Sequence, residues 1–239
     1  MGRPQAGPRP VGEARCGRTV AGCLLALLIG GIALAAHAQM GPRLPRLQGV
    51  WNPVVGTGGA YRIDGSEGYQ GDIQIAIVAQ EAVDGKDGYW LEMSMADPRS
   101  KQPILAKQLM VRDGDTAEVR RMIIALPGQE PIELPIATMH QSPRGEQPAD
   151  VRKQADRIGV EDITTPAGTF TCEHYQLRDG GGDVWVSDKV APWGLVKMTG
   201  RTNMILVREV TGATSQITGT PKPFDASQML RRMRDQGTR

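Results

Sequence analysis

The sequence predicts a mainly β protein: a curved antiparallel sheet, shaped as a half-barrel or a barrel, with one C-terminal helix. Two observations support this fold class. About ten short runs alternate apolar and polar residues at the period of a half-buried strand, and turn residues separate these runs at near-regular intervals. No helical patterns stand between the runs, which disfavours a parallel α/β sheet.

A first hairpin is predicted near the start of the ordered part of the chain. This part begins at residues 49–55, where Pro53 indicates an edge position. Residues 73–79 alternate apolar and polar side chains, and residues 89–95 do the same after the turn Asp84-Gly-Lys-Asp-Gly88. One face of the second run carries Tyr89, Leu91, Met93 and Met95, and the other face carries Trp90, Glu92 and Ser94.

A second hairpin is predicted from residues 104–111 and residues 117–126, which flank Asp113-Gly-Asp115. The second of these runs also fits a short helix. Residues 127–148 contain five prolines, and this density excludes a long helix and favours an extended edge or a crossing loop.

The rest of the chain returns to short alternating runs and ends in the predicted helix. Turns rich in Gly or containing Pro separate the runs, most clearly Asp179-Gly-Gly-Gly-Asp183. Asp225 is a candidate N-cap for a helix over residues 226–235, which has Met229, Leu230 and Met233 on one face. The runs are residues 157–163, 169–177, 183–187, 195–199, 204–210 and 213–218.

The N-terminus has the pattern of a cleaved secretory signal. Residues 21–36 carry no charge, and Ala36-His-Ala38 matches a signal-peptidase site. We expect a mature chain that starts at Gln39 in the periplasm or outside the cell, with membrane contact only through the leader; a retained anchor and lipidation at Cys23 are less favoured alternatives. The predicted domains are a signal peptide (1–38), a flexible N-terminal segment (39–48), an antiparallel β domain (49–220) and a C-terminal helix and tail (221–239).

Charge and cysteine usage exclude two classes of protein. The formal net charge is +2, but the leader holds four arginines against one glutamate, so the remainder carries −1. A nucleic-acid partner is therefore not expected. Two of the three cysteines also lie in the leader, which leaves Cys172 alone in the mature chain and excludes an intrachain disulfide.

The chemical motifs do not predict an enzyme. The sequence contains no Gly-x-Ser-x-Gly, no Ser-x-x-Lys and no His-Glu-x-x-His pattern. Glu130 and Glu133 come closest to a catalytic pair of carboxylates, but a loop rich in proline holds carboxylates poorly for acid–base work. We therefore expect a protein without catalytic residues, resident metal or cofactor.

Cys172 and His174 form the basis of an alternative site. They lie two residues apart on a predicted strand, so both side chains point to one face and could share a metal or form a thiol site. The other histidine of the mature chain is His140, in the segment rich in proline. Simple packing of Cys172, with a partly exposed His174, is the favoured interpretation.

Methionine and tryptophan content suggests a binding surface. Ten methionines follow Met1, and six of them fall in predicted strands. Flexible thioethers adapt to acyl chains or partner segments, and indole rings add flat amphipathic surface. The same residues would also fill the core of an ordinary β protein, which is the simpler interpretation. The predicted ligand-binding residues are Trp90, Met93, Met95, Trp185 and Trp193.

Several segments between about residues 70 and 220 carry a resemblance. With these segments the chain resembles a family of uncharacterised bacterial exported proteins of unknown function, distantly similar to the lipoprotein-carrier half-barrels of the periplasm. The resemblance implies a curved antiparallel sheet that binds something apolar, and it implies no catalytic residues. The segments are Tyr89-Trp-Leu-Glu92, Val119-Arg-Arg-Met-Ile-Ile-Ala-Leu-Pro-Gly128, Thr165-Pro-Ala-Gly-Thr-Phe-Thr-Cys-Glu-His-Tyr175 and Val184-Trp-Val-Ser-Asp-Lys-Val-Ala-Pro-Trp-Gly-Leu-Val-Lys197.

The sequence thus predicts a non-enzymatic binding module of the bacterial envelope. Its partner would be a lipid, an acylated protein or another envelope component, held on the face that bears methionine and tryptophan. Two alternatives stay open. The first is a metal or thiol site built on Cys172 and His174, and the second is an assembly protein that binds a partner through a sheet edge near Pro53 and residues 127–148.

Overall fold

The computed structural model describes residues 49–65, 70–97, 100–114, 116–135, 146–148 and 150–225. The predicted signal peptide, the segment 39–48 and the predicted helix over residues 226–235 lie outside the described residues. No helix within the described ranges is long and apolar enough to cross a bilayer.

The described chain folds into thirteen strands and one 3₁₀ turn. The strands are β1 (Thr57–Gly65), β2 (Gln70–Val83), β3 (Lys86–Ala96), β4 (Pro103–Asp113), β5 (Thr116–Ala125), β6 (Ile132–Leu134), β7 (Glu146–Pro148), β8 (Ala155–Thr165), β9 (Gly168–Leu177), β10 (Gly182–Val186), β11 (Leu195–Gly200), β12 (Thr202–Thr211) and β13 (Lys222–Pro223), and the 3₁₀ turn is Val151–Lys153.

All of these strands belong to one sheet, with the order β13-β6-β5-β4-β3-β2-β1-β12-β11-β10-β9-β8 and with β7 on β5. The named pairs are antiparallel except for β13 and β6. Strands that are consecutive in the sequence form hairpins, and local turn residues explain these hairpins. Between β2 and β3, Asp84 (φ +52°) and Gly85 (φ +76°) both adopt the left-handed conformation, which a two-residue type I′ turn requires.

One face of the sheet, here called the inner face, is buried over most of β1 to β5 and β10 to β12, and it becomes exposed at β8. A single layer can bury one face only by curving until that face packs against itself. The Tyr61 hydroxyl on β1 donates to the Leu195 carbonyl on β11, two strands away, at 3.0 Å, and burial followed by the charge of Glu209 raises the pKa of Tyr61 far above its ordinary value. The inner face carries Tyr61, Ile63, Ile73, Ile75, Ile77, Leu91, Met110, Val184, Met204 and Leu206.

The opposite, outer face is covered in part by the chain segment 212–221, here called the strap. Ile217 of the strap packs against a cluster of Trp90, Leu109 and Ile123 on β3, β4 and β5. Beyond the strap, the chain returns to the sheet edge, where β13 pairs with β6. The strap therefore covers the outer face where Trp90, Leu109 and Ile123 of β3, β4 and β5 come together.

Most strand predictions are confirmed, and the differences have local causes. Residues 117–126 fall almost wholly within β5, so the helix alternative is wrong. Residues 213–218 do not form a strand, because they cross the sheet as the strap instead of pairing at an edge. Residues 49–55 contribute only the isolated bridge of Val50 with Asp150. The curved antiparallel sheet is confirmed, and within the described ranges its end strands β13 and β8 do not pair with each other, which favours the half-barrel form.

Candidate functional site

The two predicted ligand methionines belong to the inner face. Met93 and Met95 on β3 lie opposite Ile75 and Ile73 on β2. Their exposed fractions are only 3% and 4%. Both thioethers therefore fill the core of the sheet, which is the simpler of the two roles considered from the sequence.

Trp90 lies on the opposite face, beneath the strap. Its indole Nε1 donates to Glu81 Oε2 at 3.0 Å. The Lys107 ammonium and the Arg121 guanidinium lie 4.8 Å and 5.2 Å from the ring centroid, within the range of cation–π attraction. Hydrogen bonds from Arg121 lower the pKa of Glu133, which pairs with it at 2.7 Å. This environment holds Trp90 in place and leaves it no open surface for a ligand.

Trp193 is in the connection between β10 and β11 and is fully buried. Its ring centroid lies 4.6 Å from that of Trp51, which in turn meets Tyr89 of β3 edge-on at 6.3 Å. A Cβ atom at Gly49 would overlap the Trp193 carbonyl oxygen, so this close approach requires glycine. The three rings join residues 49–55 and the β10–β11 connection to β3.

Trp185 lies on the outer face of the other half of the sheet. The His174 ring stacks on it at 4.4 Å with an interplanar angle of 20°, and the Lys197 ammonium lies 4.6 Å from its centroid. Its indole Nε1 donates to Glu161 Oε1 at 2.6 Å. Trp185, His174 and Glu161 come from β10, β9 and β8, so this cluster cross-links three strands at one end of the sheet. The five predicted ligand residues therefore do not share one surface.

His174 is held between two carboxylates. Its Nδ1 lies 3.0 Å from Glu161 Oε1, and its Nε2 lies 3.0 Å from Asp183 Oδ1. Both ring nitrogens can donate at once only in the doubly protonated imidazolium. Because the two carboxylates occupy different nitrogens, they hold the ring and do not converge on a common point where a metal ion could sit.

The metal or thiol alternative gains no support from the geometry around Cys172. The side chain is buried, and its thiol donates to the Phe170 carbonyl at 3.4 Å. Burial, with a smaller effect of Asp162 and Glu161, raises the pKa of Cys172 to about 11, which disfavours the thiolate that a ligand or nucleophile must supply. His140 lies outside the described residues, and within them no group of three or more His, Cys, Asp or Glu side chains could hold a metal.

The surface of the described residues has shallow depressions. A shallow depression of about 380 Å³ lies over β1 to β4 and β12 and is lined by Gln74, Ser94 and Arg208 among others. Of the five predicted ligand residues, Met95 borders it. A second depression of about 410 Å³ lies beside Asp156 and Arg178 at the start of β8 and the end of β9.

The remaining candidate surface is the β8 edge, defined as the side of β8 that does not pair with β9. Eleven residues long, β8 stands at the end of the strand order, and no other strand of the described chain pairs with it. The side chains of Ile158 and Val160 are 56% and 55% exposed. An unpaired strand presents a row of backbone N–H and C=O groups to which another extended chain can add.

The other end of the sheet differs from the β8 edge. It consists of β13, with two residues, and β6, with three. Lys222 of β13 forms an ion pair with Glu130, and Glu133 of β6 binds Arg121. Short strands with charged side chains offer little to an added strand. The sequence predicted the strand at residues 157–163, but its place at the sheet end depends on the long-range pairing of β1 with β12, which no local pattern reveals.

Comparisons with known proteins showed no family, and the similar solved structures are distant in sequence, as two of them illustrate. The chain matches no known protein family, and no curated protein is similar to it in sequence. A protein from Bacteroides fragilis, described as exported and as having a YmcC-like fold, is 13% identical with a TM-score of 0.32, over 68% of this chain and 99% of that chain. A protein from Parabacteroides distasonis, described as a lipoprotein, is 14% identical with a TM-score of 0.33, over 69% of this chain and 100% of that chain. Likeness at this level carries no functional argument.

Proposed function

We propose that this chain is a non-enzymatic, exported binding module that takes an extended segment of a partner protein at the β8 edge. The observation that carries the proposal is the combination of an unpaired eleven-residue strand with two exposed β-branched side chains, Ile158 and Val160. Strand addition uses the backbone groups for affinity and the alternate side chains for selectivity. The signal-like leader supports export, with the mature chain starting at Gln39.

The apolar-ligand form of the hypothesis would need a different surface. Met93 and Met95 are packed in the inner face, and Trp90 is covered by the strap. A lipid on the inner face would have to displace side chains that already fill it, at the cost of their packing and of exposing their apolar surface to water. We therefore place binding at the edge of the sheet, where no such displacement is needed.

Photo-crosslinking tests the proposal. The photoreactive residue p-benzoylphenylalanine replaces Val160 in the chain exported by its own host, and the matched control carries it at Val55, which is 47% exposed and lies outside the strands. A discrete crosslinked protein is expected from Val160 and not from Val55. Equal crosslinking from both positions, or none from Val160, would overturn the proposal.

Native mass spectrometry of the same preparation separates this proposal from the apolar-ligand alternative. If the chain binds through its edge, the purified protein carries no stoichiometric lipid. A lipid that co-purifies and is lost when Met93→Lys is introduced into the inner face would instead favour a ligand among the core methionines.

A further inference from the structure

The charges of β8 define the chemistry of the partner that its edge can accept. The regular part of the strand, residues 159–165, carries Glu161 and Asp162 and no lysine or arginine. Both carboxylates are exposed. Because successive side chains of a strand point to opposite faces of the sheet, Glu161 and Asp162 lie on opposite faces next to the β8 edge.

The two carboxylates are held by donors on the neighbouring strands. Glu161 Oε1 accepts from the Trp185 indole at 2.6 Å, and the His174 Nδ1 lies 3.0 Å away. Asp162 Oδ1 accepts from the Thr171 hydroxyl at 2.8 Å. Carboxylates fixed in this way are preorganised acceptors, since little side-chain freedom remains to be lost when a cation arrives.

The cations of this region are engaged with other groups. Arg157 pairs with Glu173 at 3.4 Å, Arg178 pairs with Asp156 at 2.8 Å, and the Lys197 ammonium lies over the Trp185 ring. None of these three cations pairs with Glu161 or Asp162; Glu161 lies against the His174 ring, and Asp162 is the carboxylate whose charge the ion pairs named here leave uncompensated.

A second copy of the chain fits this edge poorly in the registers that align the regular part of β8 with itself. Antiparallel self-pairing centred at residues 161–162 places Asp162 opposite Asp162, or Glu161 opposite Asp162. Like charges directly opposite each other in a sheet destabilise the pair. A register centred on Gly159 would bring Arg157 opposite Glu161, but it would also bring Asp156 opposite Asp162 and would cross the bulge between Arg157 and Gly159.

We infer that the β8 edge selects an extended segment of a partner protein in which two adjacent cations are flanked by β-branched residues. The two cations would face Asp162 and Glu161, and the β-branched residues would face Ile163 and Val160. This inference rests on the proposed function, because it names the partner chemistry for the same edge. Opposite charges across an antiparallel pair favour this segment over one that carries carboxylates.

Two capped hexapeptides test the inference against the exported chain by NMR titration. The first has the sequence Thr-Val-Lys-Lys-Val-Thr and the second Thr-Val-Glu-Glu-Val-Thr. We expect the lysine peptide to shift β8 resonances at millimolar concentration, with an affinity about tenfold or more above that of the glutamate peptide at low salt. The preference should shrink as salt screens the exposed charges.

Two matched variants locate the effect. Asp162→Asn removes one edge carboxylate and should reduce the preference for the lysine peptide several-fold. Asp84→Asn removes the same charge from the β2–β3 turn, where φ of +52° suits asparagine, and should leave the preference unchanged. An effect of equal size in both variants would assign the preference to net charge and overturn the inference.

The outcomes separate this inference from the proposed function. If both peptides shift β8 equally, the edge binds extended chains but does not select cations, so the inference fails and the proposed function stands. If neither peptide shifts β8, or if the shifts lie on other strands, the inference also fails. In that case the crosslinking experiment at Val160 alone decides whether the edge binds a protein.

Discussion

Removing the carboxylate of Glu92 should release the strap from the sheet. Glu92 is only 4% exposed, although its side chain is polar and it lies in the middle of β3. Its two oxygens accept from the Ser215 hydroxyl at 2.7 Å and from the Gln216 backbone N–H at 2.8 Å. The Lys107 ammonium donates to the same hydroxyl at 3.2 Å. A buried carboxylate with these donors acts as the anchor of the strap.

The magnitude follows from the two hydrogen bonds. A hydrogen bond to a charged group contributes about 1.5 to 3 kcal/mol, and Glu92→Ala removes two of them while leaving the Gln216 N–H without its acceptor. We expect a loss of about 3 kcal/mol, confined mainly to the strap because β3 keeps its pairing with β2 and β4. Local opening should then accelerate amide exchange at Gln216 by about two orders of magnitude.

Amide hydrogen exchange with residue resolution measures this effect. The matched control is Glu209→Ala, which removes an exposed glutamate from β12, and exchange at Gln216 should not change in that variant. Ser215→Ala should give a smaller acceleration, since one of the two bonds remains. If Gln216 exchanges at the same rate in Glu92→Ala as in the unmodified protein, the carboxylate does not anchor the strap and the reasoning is wrong.

Three further predictions concern single side chains. Trp185→Ala should lower the free energy of unfolding by about 3 kcal/mol in a denaturant titration, because it removes a ring stacked on His174; a change below about 0.5 kcal/mol would contradict the packing described. Cys172, whose pKa burial raises to about 11, should react with a thiol reagent at pH 8 at least about 100-fold more slowly in the folded than in the unfolded protein, and equal rates would contradict its burial. Hydrogen bonds from Arg152 lower the pKa of Asp150, so its stabilising effect is present above the unfolded-state pKa and is lost as the pH falls through the folded-state value. The stability advantage over Asp150→Asn should therefore shrink below about pH 4 in urea titrations, and an advantage that stays constant down to pH 2 would count against this hydrogen bonding.

Hairpins could be predicted from the sequence because their determinants are local. Residues 73–79 and 89–95, in which apolar and polar side chains alternate, lie in β2 and β3, and Asp84-Gly85 forms the turn between these strands. The same logic holds for β4 and β5 around Gly114. The strand predicted at residues 213–218 is wrong. These residues alternate apolar and polar side chains but have no hairpin partner, and Ile217 packs on Trp90 across the sheet instead.

The five predicted ligand residues do not lie on one face of the sheet, and the alternation of side chains along a strand already explains part of this. Trp90 and Met93 are three residues apart on a strand, so they point to opposite faces and cannot line one surface. Which of these faces is buried inside the sheet depends on its curvature and on the strap, and both follow from contacts between residues far apart in sequence. The face that carries Met93 and Met95 is therefore part of the core, as the low exposure of both side chains shows.

The carboxylates of Glu161 and Asp162 on β8 affect both self-association and the binding of a partner. Glu161 and Asp162 oppose pairing between copies of this chain in registers that bring these residues together, which protects an unpaired strand from edge-to-edge aggregation. The same carboxylates leave the backbone groups open to any segment whose side chains neutralise them. If the β8 edge binds a partner as proposed, specificity and resistance to self-association come from one pair of side chains, and Asp162→Lys should alter both together. That variant should lose its preference for the lysine peptide and self-associate more readily in sedimentation at high protein concentration, because it places a cation opposite Glu161 of a second copy.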